Sequence, residues 1–196
     1  MASTTYKTSL PLADLEDASP EAAAILRRTG DQLGFVPNMY RAMAQAPGLL
    51  ETYADGYQRF RAVSRLSPVE QEVVFLTISR WNSCHYCVAA HSVVADVMSR
   101  VPAEVTAALR EGRPLPDTRL NALAVFTTDM LEWRGWPTVA AVDAFKAAGY
   151  DDRHILAIIL AIAVKTISNF TNHLFQTPLD PMFIGRAWDA PGGPLA

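Results

Sequence analysis

The sequence predicts an all-α protein, and three observations support this prediction. Apolar residues recur at steps of three and four positions, as they do on the buried face of an amphipathic helix. No segment alternates apolar and polar residues in the manner of a half-buried strand. Capping residues, prolines and glycines stand at the ends of the apolar segments, where helices begin and end.

Four helices are predicted before the cysteines. The first begins at Ser19 and Pro20, because serine caps and proline opens a helix, and it stops before Gly34. Ser67 and Glu70 fit a capping box at the start of the fourth helix. The predicted ranges are 20–32, 37–43, 47–63 and 69–81. The third carries an apolar stripe predicted to be core and to help line a cavity: Leu50, Tyr53, Tyr57 and Phe60.

Five further helices follow. They are predicted over residues 84–99, 102–112, 117–133, 138–148 and 151–174. Sliding the second half back by 84 residues places Ser168 on Cys84 and Thr171 on Cys87. We interpret this as a degenerate internal helical repeat that kept the packing and lost the thiols, with chance agreement of two amphipathic helices as the alternative. Near the end of the last helix, polar residues are interpreted as satisfied helix-end groups rather than interface contacts: Asn169, Asn172 and His173.

The chain is predicted to form one domain, since 196 residues that are half hydrophobic can bury a proper core. Residues 1–19 read as an extended arm whose leucines pack on a neighbour, 20–182 as the helical domain and 183–196 as a tail. The motif-bearing part of the helical domain is about 47–112.

Charge and hydropathy exclude several classes of partner. A net charge of −3 gives no basic footprint, so nucleic acid is not an expected partner. The N-terminus has no apolar signal region, and the longest apolar run, Ile155 to Val164, is too short to span a bilayer. We therefore expect a soluble, cytoplasmic protein with no membrane contact.

The functional prediction rests on the only two cysteines. At roughly 100° per residue, Cys84, Cys87 and His91 project from one helical stripe about 60° wide. Asn82 and Ser83 are expected to cap the start of this helix. Unpaired N–H groups at a helix start and a nearby imidazole favour thiolate over thiol, and thiolate is the reactive form. The spacing predicts a dithiol redox centre in which His91 moves protons and Glu72 orients it.

Other uses of the cysteines fit less well. A structural zinc site wants four ligands, and no second Cys-x-x-Cys or His-x-x-x-His exists in the chain. A c-type haem needs histidine directly after the second cysteine, where Val88 stands. Free cysteines are often buried small hydrophobes, but the mutual spacing and His91 argue against that interpretation.

The pattern Glu-x11-Cys-x2-Cys-x3-His, fitted by Glu72, Cys84, Cys87 and His91, resembles the signature of the alkylhydroperoxidase D (AhpD) branch of the carboxymuconolactone decarboxylase superfamily. The segments 34–40 and 46–50 resemble the lead-in of its peroxidase-related members. The resemblance covers most of residues 30–180 and implies an AhpD-like helical bundle that assembles as a trimer or hexamer.

The resemblance also implies residue roles. Cys87 attacks peroxide and becomes a sulfenic acid, Cys84 is its disulfide partner and proton donor, and His91 with Glu72 forms a proton relay. Some members place a second histidine directly before the second cysteine, whereas Tyr86 stands there in this chain. His85 is therefore given no auxiliary role.

The predicted function is a thiol-dependent peroxidase that reduces an organic hydroperoxide and is recycled by an external dithiol, without a cofactor. Three rivals remain: a dithiol adaptor without peroxidase turnover, a lactone decarboxylase-like lyase, and a zinc-stabilised interaction protein. The identities of the hydroperoxide and the reductant do not follow from the sequence.

Overall fold

The computed structural model describes residues 5–190. Over that range the chain forms nine α-helices and no strand, so the all-α prediction is confirmed. A π-helical turn, Val94–Met98, extends the fifth helix, and a 3₁₀ helix, Pro181–Arg186, follows the last. The α-helices are α1 Pro20–Leu33, α2 Asn38–Met43, α3 Pro47–Val63, α4 Pro68–Trp81, α5 His85–Val93, α6 Ala103–Glu111, α7 Thr118–Glu132, α8 Val139–Ala147 and α9 Asp152–Phe175.

Most helices begin and end at the residues that the sequence indicates. Ser19 Oγ accepts a hydrogen bond from the Ala22 amide at the start of α1, and Ser67 and Glu70 form the reciprocal capping box of α4. Gly34 ends α1 with a φ of 79°, a left-handed conformation that glycine adopts without a Cβ clash. Side chains also cap α7, α8 and α9: Asp117, Thr138 and Asp151.

Two buried apolar clusters form the core. The first surrounds α4 and α7, where the rings of Phe126 and Phe145 stack with centroids 4.2 Å apart. The second lies between α1, α2, α3, α5 and α9, and both cysteines belong to it. The dithiol therefore lies inside a hydrophobic core. The α3 stripe is core as predicted at Leu50, Tyr53 and Phe60, whereas Tyr57 is only partly buried.

The boundaries of two helix pairs agree with the proposed internal repeat. Helices α3 and α8 end at Val63 and Ala147, and helices α4 and α9 begin at Pro68 and Asp152, each pair 84 positions apart. The second copy differs in one respect. Whereas α4 stops at Trp81, α9 continues without a break to Phe175.

Helix α9 runs through the centre of the fold. Its 24 residues are long and apolar enough to cross a membrane by length and composition alone, with a mean hydropathy of 1.6 over the most apolar 18. Half of that window is buried against the rest of the protein, chiefly α3 and α4. This is the environment of a core helix in a soluble-type helical fold.

The segments before α1 and after α9 pack on the helices. The arm forms backbone hydrogen bonds from Thr8 to Leu174 and from Ala13 to Arg41, so it lies along its own chain. After α9, Phe183 is buried in the second cluster, and the Trp188 indole donates to the carbonyl of Arg110. The first four and last six residues of the predicted arm and tail lie outside the described range.

Candidate functional site

The break between α4 and α5 places the cysteines, and here one prediction is wrong. Asn82 ends α4 instead of capping α5, and Ser83 adopts a left-handed conformation with a φ of 54°. Cys84 itself is the N-cap of α5, with extended backbone and no side-chain cap. The Asn82 side chain bonds to α9 instead, where its Nδ2 donates to Asn169 Oδ1 at 2.8 Å.

Both cysteines are free thiols that are almost fully buried, with 0% of Cys84 and 1% of Cys87 exposed. Cys84 precedes the first residue of α5 and Cys87 is its third residue. Both therefore lie in the opening turn, where unpaired backbone N–H groups and the helix dipole favour a negative charge.

Helix α9 contacts the thiols from the opposite wall of the core. Asn172 Nδ2 lies 3.2 Å from Cys87 Sγ and 3.9 Å from Cys84 Sγ, and Ser168 Oγ lies 3.9 Å from Cys87 Sγ. An amide N–H that points at sulfur stabilises a thiolate by hydrogen bonding. The interpretation of Asn172 as a helix-end group is therefore wrong, because its side chain contacts the reactive pair.

A lysine is buried on the same helix. Lys165 is 0% exposed, and its Nζ has no hydrogen-bond partner among the described residues. The ammonium lies 5.6 Å from the centroid of the Phe75 ring, and the His91 ring lies 4.9 Å from the same ring. The amine of Lys165 and the imidazole of His91 therefore contact the same buried ring.

Glu72 and His91 meet despite lying on different helices. The Glu72 side chain is 0% exposed, and its Oε2 lies 2.8 Å from His91 Nδ1. Its other oxygen accepts a hydrogen bond from Arg61, which also donates to the hydroxyl of Tyr57 and lies over the Phe75 ring. The buried carboxylate thus has two positive or donating partners, which offset the cost of its desolvation.

The protonation states of this pair follow from its surroundings. Burial would raise the pKa of Glu72, but His91 and Arg61 hold it below its usual value, so Glu72 is a carboxylate. Burial lowers the pKa of His91, as does the charge of Lys165, and these outweigh the opposing effect of Glu72. His91 is therefore neutral at pH 7, with its proton on Nδ1 towards Glu72 and Nε2 free to accept a proton.

The two thiols differ in acidity. Burial raises the pKa of Cys84 well above its usual value, and its hydrogen bond with Cys87 raises it further. Burial would also raise the pKa of Cys87, but the hydrogen bond from Cys84 and the charge of Lys165 hold it well below its usual value. The arrangement favours a Cys87 thiolate beside a protonated Cys84.

Two cavities reach the site. One of about 690 Å³ is lined by Cys84 and Asn172, with His85 and His173 on its wall. The other, of about 420 Å³, is lined by His91 together with polar and aromatic side chains: Tyr40, Tyr53, Tyr57, Arg61 and Tyr86. Cys87 lines neither cavity, whereas its neighbours Cys84 and Tyr86 line the larger one and Tyr86 and His91 line the smaller one.

His85 and Tyr86, the two residues before Cys87, bond to groups other than the thiols. His85 Nδ1 lies 2.8 Å from the carbonyl oxygen of Trp188, and the Tyr86 hydroxyl donates to the buried carboxylate of Asp180. Neither side chain forms a hydrogen bond to sulfur among the described residues. Within that range no group of three or more His, Cys, Asp or Glu side chains could hold a metal ion.

The geometry can be compared with known proteins. Residues 47–128 match the model of the carboxymuconolactone decarboxylase family, a segment that contains Glu72, Cys84, Cys87 and His91. No curated protein sequence matches the chain.

Three solved structures share the fold over more than nine-tenths of the chain. The alkylhydroperoxidase AhpD core of an uncharacterized peroxidase-related protein from Ralstonia eutropha JMP134 has a TM-score of 0.78 at 20% identity, covering 92% of this chain and 97% of that chain. A peroxidase-related protein from Silicibacter sp. TM1040 has a TM-score of 0.74 at 23% identity, covering 93% of this chain and 98% of that chain. A cysteine-to-alanine variant of the debrominase Bmp8, in complex with 2,3,4-tribromopyrrole, has a TM-score of 0.75 at 16% identity, covering 91% of this chain and 95% of that chain.

The protein is therefore an all-α chain with an AhpD-like helical fold and a buried Cys-x-x-Cys site. Residues 47–128 resemble the carboxymuconolactone decarboxylase family, and the structures that share the fold include an AhpD core and a peroxidase-related protein, in agreement with the resemblance found in the sequence.

Proposed function

We propose that the protein is a thiol-dependent peroxidase that reduces organic hydroperoxides through a Cys84–Cys87 dithiol–disulfide cycle. One observation supports this most strongly: Cys87 Sγ lies 3.2 Å from the amide donor of Asn172, while burial raises the pKa of the neighbouring Cys84 thiol. A stabilised thiolate beside a protonated thiol is what a two-cysteine peroxidase needs.

The first step oxidises Cys87. Its thiolate attacks the terminal oxygen of the hydroperoxide, an S–O bond forms as the O–O bond breaks, and the products are Cys87 sulfenic acid and an alkoxide. The alkoxide takes a proton and leaves as an alcohol. Cys84 is the nearest proton source by hydrogen bonding, and a proton from solvent that His91 accepts on Nε2, beside the Glu72 carboxylate, replaces the one that Cys84 gives up.

The second step closes the disulfide. Cys84 sulfur attacks the sulfenic sulfur, an S–S bond forms, and the hydroxyl leaves as water after it gains a proton. His91 is suited to accept the Cys84 proton, because its Nε2 is unprotonated when Nδ1 donates to Glu72.

The third step is reduction by an external dithiol. Exchange requires access to one sulfur and a good leaving group at the other. Cys84 lines the cavity of about 690 Å³, and Cys87 is the more acidic thiol. The reductant therefore attacks Cys84 and releases Cys87 as thiolate, and the dithiol leaves as its own disulfide.

The rival functions would require different chemical groups or intermediates at the site. A dithiol adaptor would use the same sulfurs without forming a sulfenic acid. A lactone decarboxylase-like lyase needs acid–base groups and no thiols, so a paired, pKa-shifted dithiol argues against it. A zinc-stabilised protein would need ligands beyond the two thiols, and His91 Nδ1 is already bonded to Glu72.

Turnover of a model substrate tests the proposal. The full chain is incubated with cumene hydroperoxide and dithiothreitol, and peroxide loss is followed for wild type, Cys84→Ser and Cys87→Ser. Wild type should turn over and Cys87→Ser should be inactive, whereas Cys84→Ser, assayed without dithiothreitol, should consume about one equivalent. Because a debrominase shares the fold, 2,3,4-tribromopyrrole is a second substrate; its turnover without peroxide turnover would contradict the proposal.

The proposal includes a cytoplasmic location and a homo-oligomer, either a trimer or a hexamer. A dithiol that must be reduced again in each cycle suits a reducing compartment. Large apolar side chains that a monomer leaves exposed support self-association, including Trp136 and Val139 at 84% and 77% exposure. Light scattering of the purified chain tests the assembly, and a monomer at micromolar concentration would contradict it.

A further inference from the structure

Helix α9 presents three polar side chains to the thiols at helical spacing. Lys165, Ser168 and Asn172 follow one another at steps of three and four, so they share one face of the helix. Each is buried, and the two nearer the C-terminus contact Cys87 directly. The third, Lys165, transfers no proton in the proposed peroxidase cycle.

A buried ammonium without a partner is unstable unless an anion stands nearby. Lys165 Nζ has no hydrogen-bond partner among the described residues, and the buried acid Glu72 is already bonded to His91 and Arg61. Lys165 and His91 both contact the Phe75 ring. An anion that appears during function would satisfy Lys165.

Cys87 supplies such an anion. The titratable groups that interact electrostatically with Cys87 are Tyr53 from α3, Cys84, Tyr86 and His91 from α5 and its N-cap, and Lys165 and His173 from α9. Burial lowers the pKa of both histidines and raises the pKa of both tyrosines. Neither histidine is therefore favoured as a positive partner for the thiolate, which leaves Lys165 as the basic side chain on this side of Cys87.

We propose that Lys165 is a positioning residue whose ammonium group is the resident counter-ion of the Cys87 thiolate. It acts through Cys87 and does not contact substrate. The inference rests on the proposed function only in requiring that Cys87 ionises; it does not require that peroxide is the oxidant.

The counter-ion also biases the redox equilibrium. When the disulfide forms, the thiolate charge disappears and Lys165 loses its partner, so Lys165 stabilises the reduced state relative to the disulfide. A protein whose reduced form is stabilised is a stronger oxidant of external thiols. Lys165 therefore makes the Cys84–Cys87 disulfide easier for a dithiol to reduce.

The test compares Lys165→Met with wild type, with Lys165→Arg as the charge-retaining variant. Lys146→Met serves as control, because that lysine is partly exposed on α8 and paired with Asp152. Iodoacetamide labelling of Cys87 is followed against pH by fragmentation of the peptide 81–100, and the disulfide is equilibrated with dithiothreitol. A general loss of structure would change the plateau rate, whereas loss of charge moves the midpoint.

Lys165→Met should raise the labelling midpoint of Cys87 by about one pH unit or more, and it should make the disulfide about tenfold harder to reduce. For Lys165→Arg and Lys146→Met, the labelling midpoint of Cys87 and the reduction equilibrium of the disulfide should both stay near the wild-type values. A folded Lys165→Met with an unchanged midpoint and an unchanged equilibrium would overturn the proposal. Neither readout uses peroxide, so this result is independent of the proposed activity.

A measurement on wild type keeps the inference testable if the variants do not fold. The chain has three lysines, Lys7, Lys146 and Lys165, so a spectrum of protein labelled with ¹³Cε-lysine has three signals. In the reduced protein, the Lys165 signal should move with pH at the midpoint of Cys87 labelling, while the other two do not. No inflection of the Lys165 signal at that midpoint would overturn the proposal.

Discussion

His91 Nδ1 lies 2.8 Å from the carboxylate of Glu72, although 19 residues separate them and they lie on different helices. This contact fixes which imidazole nitrogen holds the proton and leaves Nε2 as the acceptor. Both side chains are buried, so the pair is largely shielded from solvent. Its contribution to turnover and to stability can be measured separately.

Loss of either member of the pair should slow the reaction. We expect Glu72→Gln and His91→Gln each to lower peroxide turnover by roughly 10²-fold or more, the usual scale for a lost acid–base group. Circular dichroism checks that the variants fold, and Glu111→Gln, a surface change outside the site, is the control. Full activity in Glu72→Gln with loss in His91→Gln would reduce the relay to His91 and the thiols.

The same pair should make stability depend on pH. The pKa of His91 is lower in the folded protein, so below about pH 6.5 the unfolded chain binds a proton that the folded one does not. The contribution of His91 to the free energy of unfolding is thus fully present above that pH and is lost as the pH falls. Glu72 acts in the same direction at lower pH, since its folded-state pKa also lies below its usual value.

Urea unfolding at pH 7.5 and pH 5.5 measures this effect. The free energy of unfolding should fall between the two pH values in wild type and fall less in His91→Gln. An equal fall in both proteins would assign the pH dependence to other groups.

The cysteines should form a reversible intramolecular disulfide. They lie three positions apart across the start of α5, and both are free and buried in the same cluster. Mass spectrometry after mild oxidation should show a monomer lighter by two hydrogens, and dithiothreitol should restore the original mass. Only intermolecular dimers, or no oxidation, would disprove the dithiol centre.

The order of thiol acidity gives a further prediction. Cys87 should react with iodoacetamide at lower pH than Cys84, because Lys165, Asn172 and the Cys84 thiol all stabilise its anion. Alkylation rates against pH for Cys84→Ser and Cys87→Ser compare the two sulfurs. A lower midpoint for Cys84 would reverse the assignment of attacking and resolving cysteine.

Substitution of Asn172 tests how far its hydrogen bond to Cys87 lowers the pKa of that thiol. Asn172→Asp keeps the shape of the side chain but places a carboxylate where an N–H donor pointed at Cys87, so the labelling midpoint of Cys87 should rise by roughly one unit or more. Asn169→Asp is the matched control, because Asn169 bonds to Asn82 and not to sulfur. Equal shifts in both variants would mean that only the added charge matters.

The helix boundaries could be predicted from the sequence because capping is local. The residues that cap α1, α4, α7 and α9 lie within three positions of the amides they bind. The capping failure at Asn82 has a different cause. Its amide is bonded to Asn169, 87 residues away, and such long-range contacts leave no local signal.

The site residues that share one helix could be predicted from their spacing, whereas those that come from other helices could not. The spacing of Cys84, Cys87 and His91 indicated that they share a stripe, but the approach of Glu72 depends on the angle set at Ser83. Asn172 and Arg61 were missed because they reach the site from α9 and α3. The sequence does point to Lys165, since it is the charged residue directly after the apolar run 155–164.

The central claim, that Cys87 is the peroxide-attacking sulfur, is tested most directly by trapping its sulfenic acid. Cys84→Ser removes the resolving thiol, so one equivalent of cumene hydroperoxide should leave Cys87 as sulfenic acid long enough to react with dimedone. Mass spectrometry should locate one dimedone adduct on Cys87 within seconds of peroxide addition, and none without peroxide. No adduct on Cys87, with peroxide unconsumed and the thiol still free, would contradict the account.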